Sequence, residues 1–315
     1  TSNATIYVRA EGSCLITNSA SIAITVQNPS GAPTSIAANQ STICSGESIN
    51  MQALGGIQGT SAQYAWYDVN PTIGFPVPIF TSTNSSYNGV SPIVNTTYYV
   101  RLEGCDTTVA ASISITVNTL SSAPSAINSS TATICAGDPV TLDILGGNLG
   151  TGASWQWFSG GCGAGAPIGS GTTLTVNPTV TSTYFVRAQG VCNTTVCASI
   201  TVNVNTLSIA PVSIIAGTNS ICPGATTTLS VIGGNLGTSA NWQWYNGACG
   251  GLLVGTGTTI AVNPTTTTTY FVRAEGLCNT TTCVNHTITV ETLSASPIGA
   301  TVTANNICPN SPTTL

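Results

Sequence analysis

The chain has 315 residues, of which 42% are apolar and only 4% charged, with a net charge of −5. Four arginines and no lysine make no basic patch, which excludes recognition along a nucleic-acid backbone. No run of about 20 apolar residues is present, which excludes a membrane-spanning helix in this stretch.

The opening stretch TSNATIYVRAEGSC has neither a basic n-region nor an apolar h-region, so it is not a signal peptide. Like the closing NNICPNSPTTL it reads as mid-motif, and the expectation is a piece of a longer chain. Self-similarity dominates what lies between. The phrase Tyr/Phe-Val-Arg occurs at Arg9, Arg101, Arg187 and Arg273, at near-equal steps. Every arginine is therefore the same position of a repeat. Ile-Cys recurs at Cys44, Cys135, Cys222 and Cys308, each with a proline at one fixed offset before it (Pro33, Pro124, Pro211, Pro297). A third phrase holds a tryptophan: YAWYD, WQWFS and WQWYN.

The unit is about 87 residues long. In chain order the expectation is the end of one repeat (1–28), three whole repeats (29–119, 120–206, 207–292) and the start of a further one (293–315). The junctions NTLSSAP, NTLSIAP and ETLSASP have one fixed length, which argues that neighbours sit close. In the third whole repeat one strand precedes Cys222. TTTLSVIG, NWQWY, LLVGTG, TTIAVNP, TYFVRAEG and HTITVETL follow, alternating with period two between Gly, Pro and Asn turns. That makes about seven strands and no helix per repeat. The fold class expected is all-β: tandem sandwiches, rich in disulfides.

A tryptophan on the third strand (Trp66, Trp157, Trp244) and a tyrosine opening the sixth (Tyr98, Tyr184, Tyr270) resemble the immunoglobulin-like sandwich. The resemblance implies a core role for all six. The usual mid-strand cysteines are absent, with Leu229 and Val272 near their places. More narrowly, ICPG…TLSVIGG…WQWY…TTTYFVRAEGLC…ITV is similar to the Ig-like repeats of large secreted Bacteroidota proteins, a group that exports adhesins by the type IX pathway. That resemblance spans essentially the whole chain. It implies an extracellular or cell-surface location.

In TYFVRAEG, alternation directs Tyr270, Val272 and Ala274 inward and Phe271, Arg273 and Glu275 outward. Arg273 is expected over the Phe271 ring and beside Glu275, a packing role. Gln189 stands where Glu275 does, so the ion pair is dispensable.

Twelve cysteines without metal-type spacing point to disulfides in an oxidising compartment. One class precedes the second strand (Cys44, Cys135, Cys222, Cys308) and one follows the arginine (Cys14, Cys105, Cys192, Cys278). Cys162 with Cys197, and Cys249 with Cys283, appear together in two repeats and are both missing from the first. Bookkeeping within repeats gives 44–105, 135–192, 162–197, 222–278 and 249–283. The resemblance objects, because in a regular immunoglobulin topology the turns before the second strand and after the sixth lie at opposite poles, about 25 Å apart, whereas bonded Cα atoms need about 6 Å. Cys135–Cys162 with Cys192–Cys197 is one alternative. A bond from the foot of one repeat to the head of the next is another. The step from each post-arginine cysteine to the next Ile-Cys is identical in all four cases: 14 to 44, 105 to 135, 192 to 222 and 278 to 308.

No catalytic constellation is legible. His286 is the single histidine and has no near carboxylate, the nine acids are dispersed, and no calcium loop or phosphate loop occurs. The expectation is no enzyme, no cofactor and no metal. Two functions stay open: a structural stalk or filament segment of a surface adhesin or fibre, and a module whose repeats bind glycan or protein through outward aromatics such as Tyr245, Phe271 or Tyr99. The partners expected are neighbouring repeats, then identical chains in a fibre or a cell-surface or glycan ligand.

Overall fold

A computed structural model describes residues 2–301, 306 and 308–310. The expected further repeat (293–315) falls partly outside these residues, and its described part has no strand. An N-terminal hairpin pairs β1 (Ala4–Val8) with β2 (Ala20–Ile24). The first sandwich follows with β3 (Ser35–Ala38), β4 (Thr42–Cys44), β5 (Ile49–Leu54), β6 (Gln63–Tyr67), β7 (Phe80–Ser82), β8 (Ser86–Val90), β9 (Thr96–Glu103) and β10 (Ala111–Asn118). The second has β11 (Ala126–Ser129), β12 (Thr133–Cys135), β13 (Val140–Leu145), β14 (Ser154–Ser159), β15 (Gly169–Ser170), β16 (Thr173–Val176), β17 (Ser182–Gln189) and β18 (Ala198–Asn205). The third has β19 (Ser213–Ala216), β20 (Ser220–Ile221), β21 (Thr227–Ile232), β22 (Asn241–Asn246), β23 (Leu252–Thr256), β24 (Thr259–Val262), β25 (Thr268–Glu275) and β26 (Val284–Val290). Among the described residues there is no helix.

Each sandwich faces a three-stranded sheet against a five-stranded one. In the second the orders are β11-β13-β16 and β12-β18-β17-β14-β15, and the other two repeat this pattern. Eight strands form where about seven were expected, because the first strand divides. β11 pairs antiparallel with β13 in one sheet, and β12 pairs parallel with β18 in the other. The chain changes sheets at residues 130–132. There the Ser130 amide donates to the Thr141 carbonyl (2.9 Å) and the Thr141 amide to Ser130 Oγ (3.2 Å), so the crossing leaves these amides satisfied.

Strand alternation builds the core. In β25, Tyr270, Val272 and Ala274 are buried, while Phe271, Arg273 and Glu275 lie half-buried on the other face. Trp66, Trp157 and Trp244 are each fully buried at the middle of a sandwich, with Tyr98, Tyr184 and Tyr270 buried nearby. A buried indole N–H needs an acceptor. Trp157 Nε1 donates to the Gly171 carbonyl (2.9 Å) and Trp244 Nε1 to that of Gly257 (2.8 Å). Both glycines have positive φ, 98° and 105°, in the turn that presents the carbonyl. The first sandwich has no glycine turn here, and Trp66 Nε1 has no partner; its ring instead lies against Tyr87, 5.7 Å between centroids.

Candidate functional site

Two recurring arrangements use the polar residues that the core does not: an arginine cluster on the outer face of each five-stranded sheet, and the contact between consecutive sandwiches.

In the third sandwich β25 lies between β22 and β26, so the outward Arg273 is flanked by the outward residues of β22. Its guanidinium stacks 5.2 Å over Tyr245 and bonds Glu275 at 2.6 Å. Tyr245 donates its hydroxyl to the same carboxylate. The aromatic under the arginine is therefore the cross-strand Tyr245. The expected Phe271 shares the face of Arg273 but stands two positions back, roughly 7 Å along the strand. The diagonal cross-strand ring of Tyr245 lies beneath the guanidinium instead. Arg101 repeats the set with Tyr67 (5.1 Å) and Glu103. In the second sandwich Arg187 stacks on Phe158 (5.0 Å) and Gln189 replaces the glutamate, at 3.2 Å. The two changes go together: with no anionic acceptor, no hydroxyl is present to donate. Arg9, on the N-terminal hairpin, bonds only Glu11.

Electrostatics follow from this geometry. Burial, then the bond to Glu275, raises the Tyr245 hydroxyl above its ordinary pKa. The Tyr245 hydroxyl, and then Arg273, hold the Glu275 carboxyl below the usual carboxylate range. A connecting loop covers each cluster. Cys162–Cys197 and Cys249–Cys283 tie the loops after β14 and β22 to the residues just before β18 and β26, across the arginine. Gly163 and Gly250 lie so close beneath that an added Cβ would meet the Arg187 and Arg273 guanidinium nitrogens at 2.6 and 3.2 Å. The first sandwich has a longer loop, whose Pro71 carbonyl accepts from Arg101 Nη1 (3.1 Å). Tyr245 is thus buried under Arg273, which removes it as an outward ligand contact; Tyr99 and Phe271 remain half-buried.

The junctions are built mostly from hydrogen bonds between main chain and side chains. After β10, Thr119 accepts from the Thr151 amide (3.1 Å), and its own amide donates to Thr151 Oγ1 (2.9 Å). Ser121 is buried, its amide donating to Asn193 Oδ1 (2.9 Å) while its carbonyl accepts from Asn193 Nδ2 (2.8 Å). Ser121 Oγ accepts from the Gly150 amide (2.9 Å). The same clamp recurs with Thr206, Ser208, Gly237, Thr238 and Asn279. A one-way form with Asn28, Ser30, Gly59, Thr60 and Asp106, where the Asp106 carboxylate accepts from the Ser30 amide without a bond in return, joins the N-terminal hairpin to the first sandwich. Asn193 and Asn279 begin Asn-x-Thr triplets, but both of their side-chain amides are committed to the clamp.

Disulfides cross these junctions. Cys44, at the end of β4, is bonded to Cys192 in the loop after β17, and Cys135 to Cys278 in the same way. The within-repeat pairs 44–105, 135–192 and 222–278 are therefore not formed. Cys44 lies in register with Asn118, the last residue of β10, at the foot of the first sandwich. Cys192 lies beside Asn193 at the head of the second, whereas Cys105 is at the opposite pole from Cys44. Cys14, Cys105, Cys222 and Cys308 are free and exposed. Beside the second staple an open cleft of about 540 Å³ is lined by Ile134, Cys135, Asp138, Asn205 and Leu277. Its single carboxylate accepts from the Cys135 amide (3.3 Å). His286 stands at the surface, 3.0 Å from Asn219 Oδ1. Among the described residues no group of three His, Cys, Asp or Glu side chains is placed to hold a metal, and no helix is long and apolar enough to cross a membrane.

The family model described as "Ig-like domain CHU_C associated" matches residues 122–206 and again 209–292, the second and third sandwiches. The chain belongs to this family. Solved structures similar to these CHU_C-associated modules include an I-band fragment of titin, 12% identical with a TM-score of 0.53, covering 82% of this chain and 99% of that one. A three-Ig titin fragment with Glu-to-Ala changes is 11% identical with a TM-score of 0.53, covering 83% and 99%. At such identity the likeness is one of fold. No curated protein matches the chain in sequence.

The clamp of these CHU_C-associated modules was not anticipated from the sequence, although a signal for it exists. Ser30, Ser121 and Ser208 recur at matching places of the repeat, as do Asp106, Asn193 and Asn279 and the glycines Gly59, Gly150 and Gly237.

Proposed function

We propose that the chain is a non-enzymatic structural segment, the stalk or filament portion of an extracellular bacterial surface adhesin or fibre, and that its work is to hold distance. One observation carries this reading: both junctions between consecutive sandwiches have the same hydrogen-bonded clamp and a disulfide from foot to head. A module that only needed to bind a ligand would not require its neighbour's orientation to be fixed. Bonding of eight cysteines supports an oxidising, extracellular setting. Negative-stain electron microscopy of the chain tests the proposal. A stalk predicts straight particles with one narrow distribution of inter-module angles, unchanged by salt. Broad angles under oxidising conditions would reject it.

A second reading rests on the first sandwich alone. Its long loop exposes Ile73, Phe75 and Val77, with Phe75 fully exposed at a positive φ of 52°. Three apolar side chains raised in this way suit a protein contact. Loss of cell-surface binding by a Phe75→Ser, Val77→Ser variant, with particle shape intact, would favour this reading.

A further inference from the structure

The staples do more than fix angles, because they redraw the covalent path along which tension passes. Pulled from its ends, an unstapled sandwich must hand the load through its entire sequence. The second sandwich is different. Its head is attached to the first by the backbone at Thr119 and by Cys192; its foot is attached to the third by Cys135 and by the backbone after Asn205. One short path runs from Thr119 to Cys135 and the other from Cys192 to Thr206. The stretch between Cys135 and Cys192, which includes β13 to β17, belongs to neither.

We infer that the disulfide staples make this array nearly inextensible, by taking the body of each sandwich off the load-bearing chain. The two short paths run side by side along one edge. β12 is paired in parallel with β18, and Cys135 stands opposite Asn205, so the two points of exit adjoin at the foot. At the head, Asn193, next to Cys192, grips Ser121, so the two points of attachment adjoin there too. The outer sandwiches are held by one staple each. Tension that comes in near residue 29 runs only as far as Cys44 before it crosses to the second sandwich. In the third it runs only from Cys278 to the end of the repeat at residue 292. Unfolding any one sandwich while its neighbours hold then lengthens the array only by the slack in its short path. At roughly 15 residues, such a path spans roughly 50 Å when fully extended, against roughly 25–40 Å from pole to pole of the folded sandwich. A sandwich could therefore melt without the stalk losing its reach.

This inference rests on the stalk reading for its purpose and on the disulfide connectivity for its mechanism. Single-molecule force extension of the oxidised chain, tethered at its termini, tests it. Apart from the opening of the unstapled N-terminal hairpin, worth roughly 60 Å, the expected trace has no unfolding step above roughly 30 Å. The Cys44→Ser, Cys192→Ser variant frees only the first sandwich, residues 29–119, and gains one step of roughly 280 Å. The Cys135→Ser, Cys278→Ser variant frees only the third. Its step is roughly 140 Å, because Cys249–Cys283 still closes off the residues between them. Circular dichroism of both variants checks that they fold, and the oxidised parent is decisive on its own: steps of roughly 140 Å or more there overturn the inference. Short steps from a chain that electron microscopy shows as kinked and variable would instead refute the stalk and leave the bypass standing.

Discussion

Gly150→Ala probes the junction at its tightest point. Gly150 has no unusual φ, so the demand for glycine there comes from space alone. A Cβ would lie 2.2 Å from the Thr119 carbonyl oxygen and 2.7 Å from Leu120 C and Ser121 N, all of them backbone atoms that cannot swing aside. Relief requires the entering strand and the turn at 150–151 to part by roughly 1 Å, given ordinary contact distances of about 3.5 Å. That separation stretches Gly150 to Ser121 (2.9 Å) and Thr151 to Thr119 (3.1 Å), and it loosens the two-point grip of Asn193 on Ser121. At about 1 kcal/mol per hydrogen bond, and with overpacking of similar size, the cost is about 2–4 kcal/mol. Because a stapled array need not unfold as one unit, hydrogen exchange is a better assay than a melting curve. Protection of the Ser121 and Thr151 amides should fall at least about 30-fold. Gly137→Ala is the control: φ is 89° with nothing within 4 Å of the added carbon, so it should cost about 1 kcal/mol locally and leave Thr151 unchanged. Unaltered protection of Ser121 and Thr151 in Gly150→Ala would refute the packed junction.

The arginine cluster predicts coupling. In a Tyr245→Phe, Glu275→Gln cycle the double variant, which reproduces the Phe158 and Gln189 of the second sandwich, should lose about 0.5–1 kcal/mol less than the two single changes together, measured by hydrogen exchange at β25. The Glu275 pKa is depressed on folding, so its contribution is present above the ordinary value near 4.3 and is lost as pH falls through the lower folded value. Stability of the third sandwich should accordingly decline at acid pH, and Glu275→Gln should flatten that decline, as read by exchange at β25. Trp157→Ala removes a fully buried ring and its bond to Gly171, and should destabilise the second sandwich by about 3–5 kcal/mol in the same assay.

How much of this could be read beforehand depends on the range of the interaction. Period-two alternation decided the faces of β25 because each residue's side depends only on its neighbours. The burial of Trp66, Trp157 and Trp244 was likewise legible, since three copies of a phrase at one offset share one environment. The division of the first strand was not, because residues 39–41, 130–132 and 217–219 share no turn signature. The ring beneath Arg273 lay on another strand, and its identity depended on register. The staples were the hardest case. Repetition makes Cys105 and Cys192 chemically equivalent, so sequence offers Cys44 two identical partners one repeat apart. Only the poles of the sandwich distinguish them. The geometric objection to 44–105 was sound, and foot-to-head bonding is the arrangement that satisfies it.

Disulfide mapping of the unreduced chain tests that arrangement most directly. The chain lacks lysine, so acid-protease digestion and mass spectrometry of the linked peptides are suited to it. The account predicts peptides joining Cys44 to Cys192 and Cys135 to Cys278, with Cys105 and Cys222 recovered as thiols. Peptides joining Cys44 to Cys105 and Cys135 to Cys192 would contradict it.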